Sequence, residues 1–285
     1  GSTGLYGGVN PKDDSGVLKY VKIEYAGFEI TPENELNGIS FQGVGAGTLV
    51  DYVQVHMNAD DGVEFFGGTV NVKHLLLTGN KDDSMDWTSG WTGKAQYILI
   101  KQAKDEGNNG IEADNLKSPM DAEPRSNPTI SNLTMIGSET ATKGGAGILL
   151  RRGTGVKIYN SIVKDFKLGG LDIDDLETFR NGHALTNGIQ GIHITNTIFD
   201  NKTNFIQEAN EENLANWILN LMDMDVLFGL EPAREESLVI RGNSVETDME
   251  TALPEDEDGF FDEVEFIGAV DSAGDDWTAG WSTKL

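Results

Sequence analysis

Carboxylates recur in this chain at one fixed place in a repeated pattern. The run Asn58-Ala-Asp60-Asp61-Gly62-Val63-Glu64-Phe65 is followed by Lys81-Asp82-Asp83-Ser84-Met85-Asp86-Trp87. It returns as Gly107-Asn108-Asn109-Gly110-Ile111-Glu112-Ala113 and as Leu168-Gly169-Gly170-Leu171-Asp172-Ile173. If the units stack, their equivalent residues stand about 4.8 Å apart. Glu64, Asp86 and Glu112 then form one column, with Asp60, Asp61, Asp82 and Asp83 beside it at the turn. Like charges at that spacing repel and raise one another's pKa unless something compensates. A hard cation with oxygen ligands is the natural compensator, and Ca²⁺ tolerates irregular geometry. Asn58, Asn80, Asn108 and Asn109 offer further carbonyl oxygens. The same acids also suit capping of turns at a solvated surface. Carboxylates one or two units apart approach the separations of about 5 Å and 6.5–9.5 Å used in glycoside hydrolysis. The sequence leaves these three readings open.

Arg151-Arg152 stands out among few cations. In the same alignment Arg151 shares a column with Asp114 one unit before and Asp174 one unit after, which suits a neutralising ion pair between units. Asp114, Asp172 and Asp174 extend the acidic face as candidate ligand-binding residues. Trp87 and Trp91 can stack on sugar rings if exposed; at alternate strand positions they equally suit core packing. The four histidines occupy unrelated repeat positions, which argues against a zinc site or a catalytic triad. Gly43-Val-Gly-Ala-Gly47 lacks the spacing and the following helix of a dinucleotide loop.

These residues need a scaffold that keeps equivalent positions in register. Anchored on Gly38, Gly62, Ser84, Gly110, Gly147 and Gly170, the steps are 24, 22, 26, 37 and 23 residues. Steps in the twenties mark a solenoid, whose units bury their apolar faces only against one another. Short alternating runs lie between the turns: 17–23, 49–55, 70–76, 97–100, 130–136, 156–163 and 192–199. Their Val, Ile and aromatic content, bounded by Gly, Asn and Asp, reads as strand. With no helix between them for a crossover, they predict an all-β, right-handed parallel β-helix spanning 1–285 as one domain. Val63, Met85, Ile111, Ile148 and Leu171 should point inward and stack; Glu64, Asp86, Glu112, Leu149 and Asp172 should point outward.

Three segments break the rhythm. Residues 115–128 and 175–187 read as loop insertions over one edge. Within the helical or irregular segment 204–260, Glu211–Met222 has apolar residues at helical spacing and predicts one short lateral α-helix. The last coil, 262–285, is expected to close on Asp276-Trp277-Thr278-Ala279-Gly280-Trp281, a near copy of Asp86-Trp87-Thr88-Ser89-Gly90-Trp91. A solenoid needs a cap, yet the chain opens directly in Gly4-Leu-Tyr-Gly-Gly8. An N-terminal cap, or a separate segment completing the solenoid, is therefore expected.

Composition narrows the partners. Lys+Arg number 21 against 47 Asp+Glu, a net charge of −26. That balance argues against nucleic acid and fits cations or a salty exterior. With no cysteine, disulfides and thiolate metal sites are excluded. No apolar run approaches the roughly 20 residues of a membrane span.

Leu5-Tyr-Gly-Gly8, Asp14-Ser-Gly-Val-Leu-Lys-Tyr-Val21, Asp60-Asp-Gly-Val-Glu-Phe-Phe-Gly-Gly-Thr-Val70 and the terminal Asp276–Trp281 motif resemble a group of uncharacterised bacterial proteins. These are secreted or outer-membrane lipoprotein-like proteins of Bacteroidetes and proteobacteria, in the pectin-lyase-like superfamily of right-handed β-helices. The resemblance implies an extracytoplasmic location but supplies no activity. Pectate lyases, which share this kind of fold, pair acid-bound Ca²⁺ with an arginine base, and Arg151 is the residue placed for that role. The expected function is a calcium-stabilised surface protein that binds polysaccharide, or another cell-surface component in adhesion. The alternative is a polysaccharide lyase or glycoside hydrolase acting on an acidic glycan.

Overall fold

The computed structural model describes residues 5–28, 30, 36–183, 185–186, 189–206, 226–228 and 250–284. Up to Ile173, each coil contributes one long and one short strand. They run β1 (Val17–Glu24), β2 (Ile39–Gln42), β3 (Leu49–His56), β4 (Val63–Phe66), β5 (Asn71–Thr78), β6 (Met85–Thr88), β7 (Lys94–Lys101) and β8 (Ile111–Asp114). Then follow β9 (Thr129–Ile136), β10 (Ala146–Arg151), β11 (Val156–Lys164), β12 (Gly169–Ile173), α1 (Leu176–His183), the pair β13 (Leu185–Thr186) and β14 (Ile189–Gln190), β15 (Ile192–Asp200) and β16 (Val226–Phe228). The long strands form one parallel sheet in the order β1-β3-β5-β7-β9-β11-β15-β16. The short strands form a second, β2-β4-β6-β8-β10-β12. This is the parallel β-helix that the repeats predict, and all seven expected strand runs fall on the long strands, the run 70–76 starting one residue before β5.

Simple alternation does not describe the long strands. The seven long strands β1, β3, β5, β7, β9, β11 and β15 each carry a left-handed residue near the middle: Tyr20, Tyr52, His74, Tyr97, Asn132, Asn160 and Asn196, all with φ between 49° and 61°. That residue turns the strand and shifts the inward face by one position. Inward residues therefore fall at Val50, Val53 and Val55, at Val72, Leu75 and Leu77, and at Ala95, Ile98 and Ile100, all essentially buried. Positive φ is costly for a tyrosine or histidine. Here the bend residues stack coil on coil, with ring centroids of Tyr20–Tyr52 at 4.7 Å, Tyr52–His74 at 4.2 Å and His74–Tyr97 at 4.8 Å.

The short sheet is in the predicted register. Val63 pairs with Met85, Met85 with Ile111, Ile111 with Ile148 and Ile148 with Leu171. All five side chains are buried.

Several segments differ from expectation. Residues 175–187 are not a plain loop, because α1 occupies most of them. The lateral helix expected at Glu211–Met222 lies outside the described residues. The segment 115–128 is anchored at its far end: Ser126 is buried, its Oγ accepts from Gly90 N at 3.0 Å, and Asn127 N donates to Trp91 O at 2.9 Å. Both inserted segments meet on one turn, as the repeat phase predicts. Arg125 Nη1 and Asn181 Nδ2 both donate to Gly153 O, and Gly153 N donates to Thr178 Oγ1.

The largest correction concerns the C-terminal end. Residues 262–284 do not add a coil. They belong to a strap, 250–284, that runs back along the outer face of the long sheet from β15 to β1. Buried carboxamides hold it there by imitating a neighbouring strand. Asn196 and Asn132 donate to Glu250 O and Phe266 O. Asn160, Gln96 and Gln54 each bond both the N–H and the C=O of one strap residue: Ala252, Asp262 and Thr283. Asp276–Trp281 copies Asp86–Trp91, but Asp275 stands where Met85 enters the core, and a carboxylate cannot take an apolar site unpaired. Trp277 and Trp281 instead pack edge-on against Tyr52 from outside, at 6.4 and 6.0 Å.

Candidate functional site

The outward column of the short sheet forms as predicted: Ser40, Glu64, Asp86, Glu112, Leu149 and Asp172 are successive register partners. Its acids do not behave alike. One carboxylate oxygen from each of Asp61, Glu64 and Asp86 lies within 4.8 Å of the others. Glu64 and Asp86 come from adjacent strands β4 and β6, and Asp61 from the turn before β4. That turn is fixed by Asn58, whose Nδ2 donates to Asp61 O at 2.8 Å and to Leu36 O at 3.0 Å. Asp61 Oδ1 accepts from Asp83 N at 3.1 Å, and Glu64 Oε2 accepts from the Asn37 amide.

This cluster is short of positive charge. Asp86 Oδ1 is buried with no hydrogen-bond partner among the described residues, and so are Asp82 Oδ1 and Asn58 Oδ1. Burial, with the nearby charges of Asp83 and Asp60, pushes Asp61 up to about 9. Burial lifts Glu64 to about 7, against the restraining bond from Asn37. Asp86 is raised well above its ordinary value by burial and by Asp61, Glu64 and Glu112. Without a cation the cluster holds protons at neutral pH. With one it can ionise: ligand oxygens about 2.4 Å from a central Ca²⁺ stand up to about 4.8 Å apart when opposite. The all-oxygen donor set and the unpartnered buried oxygens fit such an ion.

The other predicted ligands do different work. Asp83 is buried, and its Oδ1 accepts from Asn109 N at 2.7 Å, which caps the next turn. Asp82 Oδ2 pairs with Lys143 Nζ at 2.9 Å. The hydrogen bond to Asp82 raises the Lys143 pKa and keeps that amine charged. Asp60 lines the same cleft, a space of 860 Å³ shared with Asn37, Ser40, Asp61, Glu64 and Lys143. Glu112 turns away from the cluster to Arg151.

Arg151 sits opposite Asp114 in the register, as predicted. Its Nε donates to Asp114 Oδ1 at 2.7 Å and its Nη2 bonds Glu112, while Arg152 Nη1 reaches Asp114 Oδ2 at 2.5 Å. Burial alone would lower the Arg151 pKa, but its bond to Asp114 and the charges of Glu112 and Asp114 raise it. A guanidinium held this way keeps its proton, and the geometry makes it an ion-pair clamp between coils. Asp174 lies one residue past β12, where its N–H donates to Leu150 O at 2.7 Å. Leu149 separates Asp172 from the acids of β4–β8. Asp114, Asp172 and Asp174 are thus on the expected face but away from the three-carboxylate cluster.

Trp87 and Trp91 are a correction. Both are fully buried, so neither presents a ring to a ligand. Their indole N–H groups donate to Thr154 Oγ1 and Val70 O, both at 3.1 Å, and Trp91 stacks on Phe65 at 3.9 Å. Phe66, partly exposed, lines the same cleft as Asp60, Asp61 and Glu64, and the exposed Tyr6 stands beside it with ring centroids 6.3 Å apart. The signal for them was present: Phe66 lies two residues after Glu64, on the same face of the strand.

The sequence matches the family described as pectate-lyase like beta helix domain over residues 2–282. The chain belongs to that family. No curated protein sequence matches it, and no solved structure does. Membership is consistent with a polysaccharide-related role. Among the described residues no helix is long and apolar enough to cross a membrane.

Proposed function

We propose that the cleft over β2–β6 binds a divalent cation, calcium by its chemistry, and through it an acidic polysaccharide outside the cytoplasm. The observation that carries this reading is the trio Asp61, Glu64 and Asp86 around buried, unpartnered Asp86 Oδ1. These three carboxylates would hold the ion. The ion would supply positive charge for a ligand carboxylate in a wall that otherwise repels it. Lys143 is the cation lining the same cleft and would pair with another ligand acid. The excess of acid over base, −26 in net charge, makes such a partner dependent on a bridging cation. Surface attachment and adhesion are the wider roles this reading serves.

Cleavage of the bound chain fits less well. An arginine base needs a low pKa, and Arg151 is instead ion-paired to Glu112 and Asp114.

The test is thermal unfolding of the metal-depleted protein at fixed ionic strength. Calcium should raise the midpoint saturably and magnesium should not. Asp86→Asn should abolish the calcium response and leave the metal-free midpoint at neutral pH little changed, because burial and the neighbouring acids already favour the uncharged form of Asp86. A calcium response that survives both Asp86→Asn and Asp86→Lys would sink this site.

A further inference from the structure

Beside the acidic cleft runs a second groove of quite different character. Its volume is 420 Å³, and it is walled by the N-terminal stretch from Tyr6 to Pro11 on one side and by the turns after β2, β4 and β6 on the other. Phe66 lines both spaces and joins them. None of the residues lining the second groove carries a charge, in a chain of which 24% is charged.

Its floor is backbone. Gly43, Gly67, Gly68 and Gly90 adopt positive φ there, and a Cβ on Gly43 would stand 2.6 Å from Gly7 Cα. The turns therefore stack closely and present peptide groups instead of side chains. At the junction with the acids stand two aromatic rings. Phe66 points outward between Gln42 and Thr88 in the register. Tyr6 meets it edge to face and is 49% exposed. Phe66 and Glu64 are two residues apart on β4, so they share a face and lie about 6.6 Å apart along the strand.

We infer that this groove is a subsite for an uncharged pyranose ring, packed against Phe66 and Tyr6, next to the acidic residue held at Asp61, Glu64 and Asp86. The inference rests on the cation-dependent reading of the cleft and names the ligand class more closely: a polysaccharide in which acidic and uncharged rings adjoin. The apolar face of a sugar ring suits an aromatic platform, and its hydroxyls suit backbone carbonyls and the hydroxyls of Ser89 and Thr92 in the wall. A uronate in the same place would lose its hydration with no cation lining the groove to meet it.

Isothermal titration in calcium distinguishes the two. The probes are a hyaluronan octasaccharide, in which uronate alternates with an uncharged ring, and an octagalacturonate, charged at every ring. Wild type should bind the alternating chain more tightly. Phe66→Ala and Tyr6→Ala should each weaken it by about tenfold or more, the loss of one aromatic contact. Tyr6→Ala should change binding of octagalacturonate by no more than about twofold, since Tyr6 does not line the acidic cleft and an ordinary surface change costs little. Phe66→Tyr should restore the affinity, and the calcium-induced rise in melting midpoint should persist in all three variants. Equal binding of both probes by wild type, or wild-type affinity of Phe66→Ala for the alternating chain, would overturn the subsite whatever calcium does. A missing calcium response in wild type would sink the cation reading alone.

Discussion

At the scale of single residues, the governing fact is that carboxylates with the same place in the repeat have different neighbours. Glu112 has Arg151, and Asp83 has a backbone N–H, but Asp86 Oδ1 has no partner among the described residues. This asymmetry gives a pH signature. Asp61 and Glu64 are raised in the fold to about 9 and about 7. The unfolded chain returns them to ordinary carboxylate values, so between those limits the folded state holds more protons. Their favourable contribution is complete below about pH 4 and is lost as pH rises through 7 and then 9. The melting midpoint of calcium-depleted protein should therefore fall between pH 5 and pH 9. Asp61→Asn should flatten that fall, and saturating calcium should flatten it in wild type. An Asp61→Asn profile parallel to wild type would show that other groups carry the pH dependence.

At the scale of the element, the long strand is the unit that sets the core. Its left-handed bend puts inward residues three and then two positions apart, so consecutive leucines in β5 have opposite fates. Leu75 and Leu77 face the core with Ile98 and Ile100 above them, while Leu76 faces out and packs with Leu99, Ala269 and Val270 under the strap. Leu75→Ala should cost about 2–5 kcal/mol in global unfolding, the range for a buried leucine that leaves a cavity. Leu76→Ala should cost less globally but loosen the strap. Hydrogen exchange should then speed up over 269–281 with little change in β5 or β7. Equal global losses for the two variants would contradict the bend as the origin of the core pattern. The carboxamide clamps act at this scale too. Gln96 bonds both backbone groups of Asp262, at 2.9 Å each, and so serves as a strand edge would.

At the scale of the whole molecule, stacked coils carry −26 in net charge on a scaffold where each unit contacts chiefly its neighbours. Opposite charges are used locally, as in Lys19–Asp51 at 2.8 Å and Lys73–Asp262 at 2.8 Å. They are too few to offset the total. Self-repulsion of that size weakens the compact state and is screened by salt. Raising sodium chloride from low to physiological concentration should therefore raise the melting midpoint with a broad, unsaturable dependence. Calcium at matched ionic strength should act at far lower concentration and saturate. If the two dependences coincide, calcium acts as a general counter-ion and not at a site.

The sequence by itself determined the solenoid, its register and the outward column of acids. These follow from periodicity: stacking makes equal positions neighbours, so a repeat read along the chain becomes a ladder in space. It also placed Arg151 opposite Asp114, because register is set by the same count. Only the tertiary structure decided which acids converge. Asp61, Glu64 and Asp86 meet because the Asn58 turn folds one acid over the next coil, while Arg151 draws Glu112 away. The fates of the tryptophans were likewise tertiary. Trp87 and Trp91 enter the core behind Met85, whereas Trp277 and Trp281 stay outside behind Asp275, although the six-residue motifs nearly coincide. Local sequence sets a local pattern, but whether that pattern is buried depends on the apolar residue before it and on the surface it meets. The strap shows the same limit at longer range. Its docking depends on amides of Gln54, Gln96, Asn132, Asn160 and Asn196, spread over five coils, and they act together only once those coils are stacked.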